Sequence, residues 1–202
     1  MQIEYLDLST AAELIGRDEY NRQIAWMCQE TYQIWWDTYF KHNLEEYPTW
    51  LTLYDLDMAL TDQPADTPRV KLVNGHLKGF VAVADKKQII GYINLIYNEA
   101  TPEELQTLTI PPPIGEDTIW ASDLFVWPEY RNQGTALKLM YACVDWLNDQ
   151  IRNSKDTHPE YLYLCCENHL VGLYAKKGCE LISAAPDEFG WQYMRYPLLS
   201  MN

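Results

Sequence analysis

A short segment, Asn132-Gln133-Gly134-Thr135-Ala136, has the residue types of an anion-binding turn. A predicted strand over residues 118–126 leads into the segment, and a helical pattern over residues 137–151 follows it. The first turn of a helix has unpaired backbone N–H groups and carries partial positive charge. Gly134 lets the backbone approach an anion closely, so the pattern predicts a phosphate site.

The same residues exclude two common nucleotide-binding loops. A P-loop ends in Gly-Lys-Ser or Gly-Lys-Thr, and a dinucleotide-binding fingerprint needs a third glycine and an early position in the chain. Residues 126–136 have neither feature. An ordinary strand–turn–helix with a glycine in the turn remains the alternative to a phosphate site.

Asp123 is a carboxylate inside the apolar strand that leads to this segment. Side chains alternate between the two faces of a strand, which predicts Asp123 and Phe125 opposite Leu124 and Val126. A carboxylate between apolar strand residues needs a reason, and accepting a proton is one such reason. A solvated aspartate at the rim of a cleft is the alternative.

Length and charge limit the classes of protein that the chain can belong to. The 202 residues, 48% of them hydrophobic, are enough for one sizeable domain. A formal net charge of −14 argues against nucleic acid or an anionic membrane as a partner. Residues 1–78 carry 13 acidic against 6 basic side chains, and residues 98–117 carry 5 against none. This acidity favours either a cationic substrate or simple solubility.

Targeting signals and cysteine usage predict a cytoplasmic protein. The N-terminus lacks a basic stretch followed by an apolar run, and no apolar stretch is long enough to cross a bilayer. The five cysteines lie in apolar, periodic segments, which is typical of reduced thiols.

Periodicity predicts the elements that position these residues. A first strand over residues 1–8 precedes a short helix with a capping box at Thr10, a long helix capped by Asp18, and another short helix capped by Thr49. A hairpin over residues 79–84 and 88–97 follows, and then a proline-rich, acidic insertion over residues 98–117. After the 118–126 strand and its helix we expect a strand over 161–166, a helix over 170–177, and closing strands over 181–184 and 192–198.

The run Arg131-x-x-Gly134-x-Ala136, with Leu124 and Val126 before it, resembles the acetyl-CoA pyrophosphate motif of the GNAT N-acetyltransferase superfamily. The segment from Glu167 to Cys179 resembles the second block of that superfamily, in which an Asn at a strand end precedes a helix carrying a Tyr. The resemblance implies an α/β (α+β) GNAT fold, with a mixed, mostly antiparallel central sheet flanked by helices on both faces.

The resemblance also implies how acetyl-CoA is held. Backbone N–H groups from Asn132 to Ala136 would bind the pyrophosphate, with Arg131 near the phosphates or else in an ion pair with Glu129. The pantetheine arm would pair with backbone groups of the strand and with Asn168. Asn168 also fits the role of a helix N-cap. The residues implied in cofactor binding are Leu124, Phe125, Val126, Arg131, Asn132, Gln133, Gly134, Thr135, Ala136 and Asn168.

By the same resemblance, Asp123 and Tyr174 would be the catalytic residues. Tyr174 would protonate the leaving thiolate of CoA, and Asp123 would take the proton that an alkylammonium must lose before it attacks. The weaker candidates for the base are Ser122, Glu45, Glu46 and Asp55, which suit the binding of a cation better than the removal of a proton. Cys179 departs from the family pattern, which usually has a bulky aromatic after the glycine.

A metal site is not expected, although Cys165, Cys166, Glu167 and His169 are close in sequence. Successive residues of a strand point to opposite faces and do not converge easily on one ion.

These features together predict one acetyltransferase domain over residues 1–202. Acceptor-side helices would occupy residues 1–78, and the acetyl-CoA-binding core, with the 98–117 insertion, residues 79–202. The predicted reaction is direct transfer of an acetyl group from acetyl-CoA to the primary amine of a small cationic molecule, such as a polyamine or an aminoglycoside. A protein N-terminus or lysine is the alternative acceptor, and a non-catalytic acyl-CoA-binding module, or a homodimer built on the aromatic N-terminal helix, is a further hypothesis.

Overall fold

The computed structural model describes residues 1–35, 76–98, 100, 102–112, 118–153, 159–187 and 189–199. The short helix expected at Thr49 lies outside the described residues, as do the candidate carboxylates Glu45, Glu46 and Asp55.

Within the described residues, seven strands form one sheet in the order β1-β2-β3-β4-β5-β7-β6. β4 and β5 run parallel, whereas β1 with β2, β5 with β7, and β6 with β7 are antiparallel. The mixed sheet confirms the fold class predicted from the sequence. The strands are β1 Ile3–Asp7, β2 His76–Ala84, β3 Gln88–Tyr97, β4 Ile119–Val126, β5 Tyr161–Glu167, β6 Glu180–Leu181 and β7 Trp191–Pro197.

Five α-helices and two 3-10 turns connect these strands in the described part of the chain. The 3-10 turns are Pro128–Tyr130 and Asn168–Leu170. The helices are α1 Leu8–Ile15, α2 Arg17–Trp35, α3 Pro102–Gln106, α4 Thr135–Asn153 and α5 Val171–Ala175.

Two predicted helix starts were wrong. Helix α1 is capped by Asp7, whose carboxylate accepts a hydrogen bond from the Thr10 N–H at 2.8 Å. Thr10 therefore lies inside the first turn, because an Asp three residues earlier already satisfies its N–H. Helix α2 begins at Arg17, so Asp18 belongs to its first turn, where a carboxylate is favoured by the helix dipole.

The proline-rich insertion contains a helix that the sequence did not predict. Pro102 is the first residue of α3, a position where proline loses no hydrogen bond. Leu108 then forms an isolated bridge with Ser183. Leu108 also joins a buried cluster with Ala100, Trp120, Tyr163 and Ile182.

The chain divides into two compact units. The first comprises Met1–Asn94 with Asp123–Leu139, and the second comprises Leu95–Ser122 with Met140–Asn202. In the first unit, Tyr20, Ile24 and Met27 form the apolar stripe predicted for α2, and all three are buried. The stripe packs in one cluster with residues of α1, β2, β3 and β4: Leu8, Ala11, Ala12, Val81, Val83, Ile89, Tyr92 and Phe125. This burial anchors the strand that carries Asp123.

Candidate active site

The N-terminus of α4 forms a backbone cradle, defined here as residues Asn132 to Ala136. Asn132 and Gly134 both have left-handed backbone, with φ of +59° and +79°. The Gly134 carbonyl accepts the Lys138 N–H at 3.0 Å, which makes Gly134 the residue that opens the helix. Across the described residues, the five backbone N–H groups of the cradle donate to no protein acceptor. Such a row of donors with a helix dipole behind it has the chemistry that an anion prefers.

Space above Gly134 is open. A Cβ built on Gly134 would meet no atom within 4 Å, so the space next to the Gly134 backbone is open. A side chain there would occupy that space and would be strained at this φ. Thr135, the first residue of α4, is buried.

The Arg131 side chain contacts the end of β4. Its Nε donates to the Val126 carbonyl at 2.8 Å, and its Cζ lies 5.7 Å from the centre of the Phe125 ring. No ion pair joins Arg131 to Glu129 in the described part of the chain. The guanidinium remains beside the turn that leads into the cradle.

Asp123 lies in β4 with left-handed backbone, at φ +54°. Its side chain is buried, and its Oδ2 accepts a hydrogen bond from Asn94 Nδ2 at 3.1 Å. The β4–β5 ladder pairs Ile119–Ala121 with Leu162–Leu164, and the left-handed residue follows two positions later. A residue of this kind interrupts regular strand geometry as a bulge does. The strict alternation predicted for Asp123 to Val126 therefore does not continue through Asp123.

A close approach of β3 to β4 supports this irregular segment. A Cβ on Gly91 of β3 would lie 2.8 Å from the Phe125 carbonyl oxygen, so only glycine fits there without a backbone shift. The Trp127 N–H donates to the Ile90 carbonyl at 3.0 Å. Both contacts fix the end of β4, where the chain turns toward the cradle.

Tyr174 belongs to the second unit and is buried in α5. Burial, with smaller effects of Cys166 and Cys179, raises the pKa of Tyr174 to about 12. The phenol is therefore protonated at neutral pH and available as a donor. Cys179, the departure from the family pattern, is also buried, and burial raises its pKa to about 11.

Asn168 is the first residue of a 3-10 turn at the end of β5. Its Oδ1 accepts from Gln192 Nε2 at 2.5 Å, and its N–H donates to the Gly190 carbonyl at 3.0 Å. The residue that precedes α5 is Leu170, which makes no side-chain capping hydrogen bond. Asn168 is thus not the N-cap that the sequence allowed. Its side-chain amide is hydrogen-bonded to Gln192 of β7.

Sequence reasoning missed two amides that contact the predicted site residues. Asn94 binds Asp123, and Gln192 binds Asn168. Both amides are buried, at 8% exposure. A signal for Asn94 was present, because it is the one amide in the apolar run over residues 89–97.

The cysteine-rich segment of β5 makes other contacts. His169 Nδ1 lies 3.0 Å from Glu167 Oε2, and Cys166 Sγ lies 3.8 Å from Met194 Sδ. Across the described residues, no three His, Cys, Asp or Glu side chains are grouped so that they could hold a metal ion. Cys143, Cys165, Cys166 and Cys179 remain thiols.

The family model of the GNAT acetyltransferases matches residues 28–162, which is more than half of the chain. The protein belongs to the GNAT acetyltransferase family. It is therefore an acyltransferase. The matched region contains β4, Asp123 and the cradle, whereas Asn168 and Tyr174 lie beyond it.

Solved GNAT structures share the fold over nearly the whole chain. The PaiA N-acetyltransferase from Thermoplasma acidophilum, in complex with coenzyme A, is 15% identical, with 98% of this chain and 99% of that chain covered and a TM-score of 0.51. A protein of Desulfovibrio desulfuricans assigned to the GNAT family is 13% identical, with 98% and 100% covered and a TM-score of 0.50. No curated protein matches the sequence. In the described parts, no helix of this GNAT protein is long and apolar enough to span a membrane.

Proposed function

We propose that this GNAT protein transfers the acetyl group of acetyl-CoA to the primary amine of a small cationic molecule. The observation that carries the proposal is the pairing, in one unit, of an open backbone cradle at α4 with a buried carboxylate in the preceding strand. The cradle suits a pyrophosphate, and the carboxylate suits the removal of a proton from an amine.

The cradle would hold acetyl-CoA through its pyrophosphate. The backbone N–H groups of Asn132, Gln133, Gly134, Thr135 and Ala136 would donate to the phosphate oxygens, and the Arg131 guanidinium would add positive charge. When bound, acetyl-CoA supplies a thioester whose acyl carbon is open to attack by an amine. The coenzyme A present in the PaiA structure, which shares the fold, supports this assignment.

The pantetheine arm would lie along the backbone of β4. Backbone groups of Leu124, Phe125 and Val126 would pair with its amides, as an added strand pairs with a sheet edge. Asn168 would donate to the arm from the end of β5, held in orientation by its bond to Gln192. The bond occupies the amide oxygen of Asn168 and leaves its NH2 group as the donor.

Two side chains would act on the reacting groups. Asp123 would take a proton from the bound ammonium and so give the nitrogen the lone pair that attacks the acyl carbon. Tyr174 would donate to the departing sulfur. Because the pKa of Tyr174 is raised to about 12, a hydrogen bond that stabilises the thiolate is its principal contribution. The amine attacks directly, since β4 contains no cysteine to carry the acyl group.

The charge of the protein supports a cationic acceptor. The formal net charge is −14, and the acidic residues are concentrated in residues 1–78 and 98–117. A negative field raises the local concentration of an amine that carries more than one positive charge.

The acceptor class is tested with a panel of amines at saturating acetyl-CoA. Diamines and polyamines, an aminoglycoside, peptides with a free N-terminus and peptides with an internal lysine would be compared by kcat/KM, with the acetylated product identified by mass. We expect the polycationic small amines to have the highest kcat/KM. Peptides with the highest kcat/KM would contradict the acceptor class and leave acetyl transfer to an amine intact.

A further inference from the structure

Asn94 is a buried amide in β3 that faces the proposed base. Its Nδ2 lies 3.1 Å from Asp123 Oδ2, and both residues are 8% exposed. The two residues belong to the same compact unit and lie 29 positions apart in sequence. The contact is therefore a cross-strand interaction that tertiary structure creates, rather than a local turn contact.

Gly79 of β2 provides the space in which the Asn94 amide lies. A Cβ on Gly79 would be 3.0 Å from Asn94 Oδ1 and 2.6 Å from Leu8 Cδ1. The amide oxygen is thus directed at the glycine, and the NH2 group is directed at the carboxylate. This is the orientation that the chemistry requires, because an ionised carboxylate only accepts hydrogen bonds.

A neutral amide is a suitable partner for a buried general base. Burial disfavours the ionised carboxylate, and a hydrogen bond to the charged form offsets part of that cost. A Lys or Arg at position 94 would stabilise the carboxylate much more strongly and would make it a poor proton acceptor. An amide donor therefore orients the carboxylate without placing a positive charge beside it.

We infer that Asn94 is a positioning residue, which holds the Asp123 carboxylate in the orientation from which it accepts the proton of the acceptor amine. The inference rests on the proposed function, because it assigns Asn94 a role only through Asp123. The left-handed backbone of Asp123 leaves the regular strand ladder, and a residue in such a conformation persists where the surrounding structure holds it.

A double-mutant cycle on kcat tests the inference. The variants are Asn94→Ala, Asp123→Asn and the double variant, all assayed with the best amine of the panel at saturating acetyl-CoA. We expect Asp123→Asn to lower kcat by about 100-fold or more. We expect Asn94→Ala to lower kcat by about tenfold, with the KM for acetyl-CoA and the affinity for CoA unchanged, because a misplaced base loses orientation. In the Asp123→Asn background, Asn94→Ala should change kcat by less than about twofold.

Thr31→Val is the matched control. Thr31 is a buried polar residue of the same unit, whose Oγ1 donates to the Met27 carbonyl at 2.8 Å. Its loss should lower the melting temperature and leave kcat unchanged in both backgrounds. Asn94→Leu serves as a second variant, because leucine has the shape of asparagine and suits an apolar strand. It should show the same loss of kcat as Asn94→Ala.

Two outcomes overturn the inference in distinguishable ways. If Asn94→Ala and Asn94→Leu keep full kcat, or lower it by the same factor in both backgrounds, Asn94 does not act through Asp123 and the base role of Asp123 stands. If Asp123→Asn keeps full kcat, the base role of Asp123 in the proposed function fails, and the positioning role of Asn94 fails with it.

Discussion

At the scale of residues, Asp123 joins three properties that rarely occur together in a strand: burial, left-handed backbone and a cross-strand amide donor. Left-handed backbone costs an L-residue roughly 1–2 kcal/mol, and Asp is among the residues that tolerate it best. Residues held in such conformations are concentrated at functional sites. The proposed base therefore lies at the position in β4 where the structure is least regular.

Replacing Gly134 with valine tests the cradle. A β-branched residue is strongly disfavoured at φ +79°, and its side chain would occupy the open space over the cradle. We expect the affinity for CoA to fall by at least about tenfold, measured by isothermal titration calorimetry.

Gly16→Val is the control for this substitution. Gly16 also has a positive φ, +95°, and open space around it, but it ends α1 and is not part of the cradle. The control should lower stability and keep the affinity for CoA. Full affinity in Gly134→Val would disprove the cradle.

Replacing Tyr174 with phenylalanine tests the proposed acid. The ring still fills its buried position, while the donor to the leaving sulfur is lost. We expect kcat to fall by about tenfold or more, with the KM for acetyl-CoA changed by less than about twofold. Tyr161→Phe, in β5 of the same unit, removes a hydroxyl from a ring that contacts Arg195 and should keep full kcat. Equal kcat in Tyr174→Phe and the native protein would remove Tyr174 from the mechanism.

Sequence reasoning proposed Asp123, Gly134 and Tyr174 as site residues, because each lies in a segment with a recognisable motif. It did not identify Asn94 or Gln192. A contact such as that between Asn94 and Asp123 depends on strand register and on the space left by Gly79, and neither is encoded in a short window of sequence. The left-handed backbone of Asp123 could not be predicted either, because it too depends on tertiary structure.

At the scale of elements, periodic segments were predicted well and their ends were not. The helix predicted over residues 137–151 is Thr135–Asn153, and the strand predicted over 118–126 is Ile119–Val126. The start of the first helix was misplaced because Asp7 and Thr10 can both cap a helix. Asp7 is the cap, since its carboxylate accepts the hydrogen bond of the Thr10 N–H. Helix α3 was missed because proline was interpreted as a breaker rather than as a first residue.

The buried thiols around α5 predict an alkaline limit to stability. Burial raises the pKa of Cys166 and of Cys179 from 9.0 to about 11. In the unfolded chain the thiols ionise near their ordinary pKa, so the stability they confer is complete below about pH 9 and is lost as pH rises through about 11. We expect the free energy of unfolding in urea to decrease between about pH 8.5 and about pH 10.5.

Cys179→Ala isolates the contribution of one thiol. The variant should be less stable at neutral pH, because a cavity replaces the sulfur, and its free energy of unfolding should decrease less over the alkaline range. The same decrease in the variant and in the native protein would show that the Cys179 thiol does not titrate as its burial implies.

At the scale of the whole molecule, the net charge of −14 predicts a salt effect on the acceptor. The KM for a polyamine should rise severalfold between about 20 mM and about 300 mM salt, because screening weakens the attraction of a cation to an acidic protein. An amine acceptor that is neutral at the assay pH provides the control and should show little change. A polyamine KM that is independent of salt would show that the acidic residues do not attract the acceptor and contribute to solubility only.

The order of elements and the family were predictable from the whole sequence, since two motifs in strand–helix context support each other. The acceptor could not be predicted from the sequence in this way. Acceptor specificity depends on the shape and charge of a pocket built from distant segments, and no motif in residues 1–78 or 98–117 encodes that shape. Residue patterns therefore identify the chemistry of the cofactor side, and assays must identify the amine.

The most direct measurement is thiol release from acetyl-CoA in the presence of amines, combined with the mass of each amine product. We expect at least one small cationic amine to give turnover well above buffer, with one acetylated product formed for each thiol released. Asp123→Asn should lose this turnover and keep its affinity for CoA. Measurable CoA binding without turnover on any amine or peptide would show that the protein is not an amine acetyltransferase.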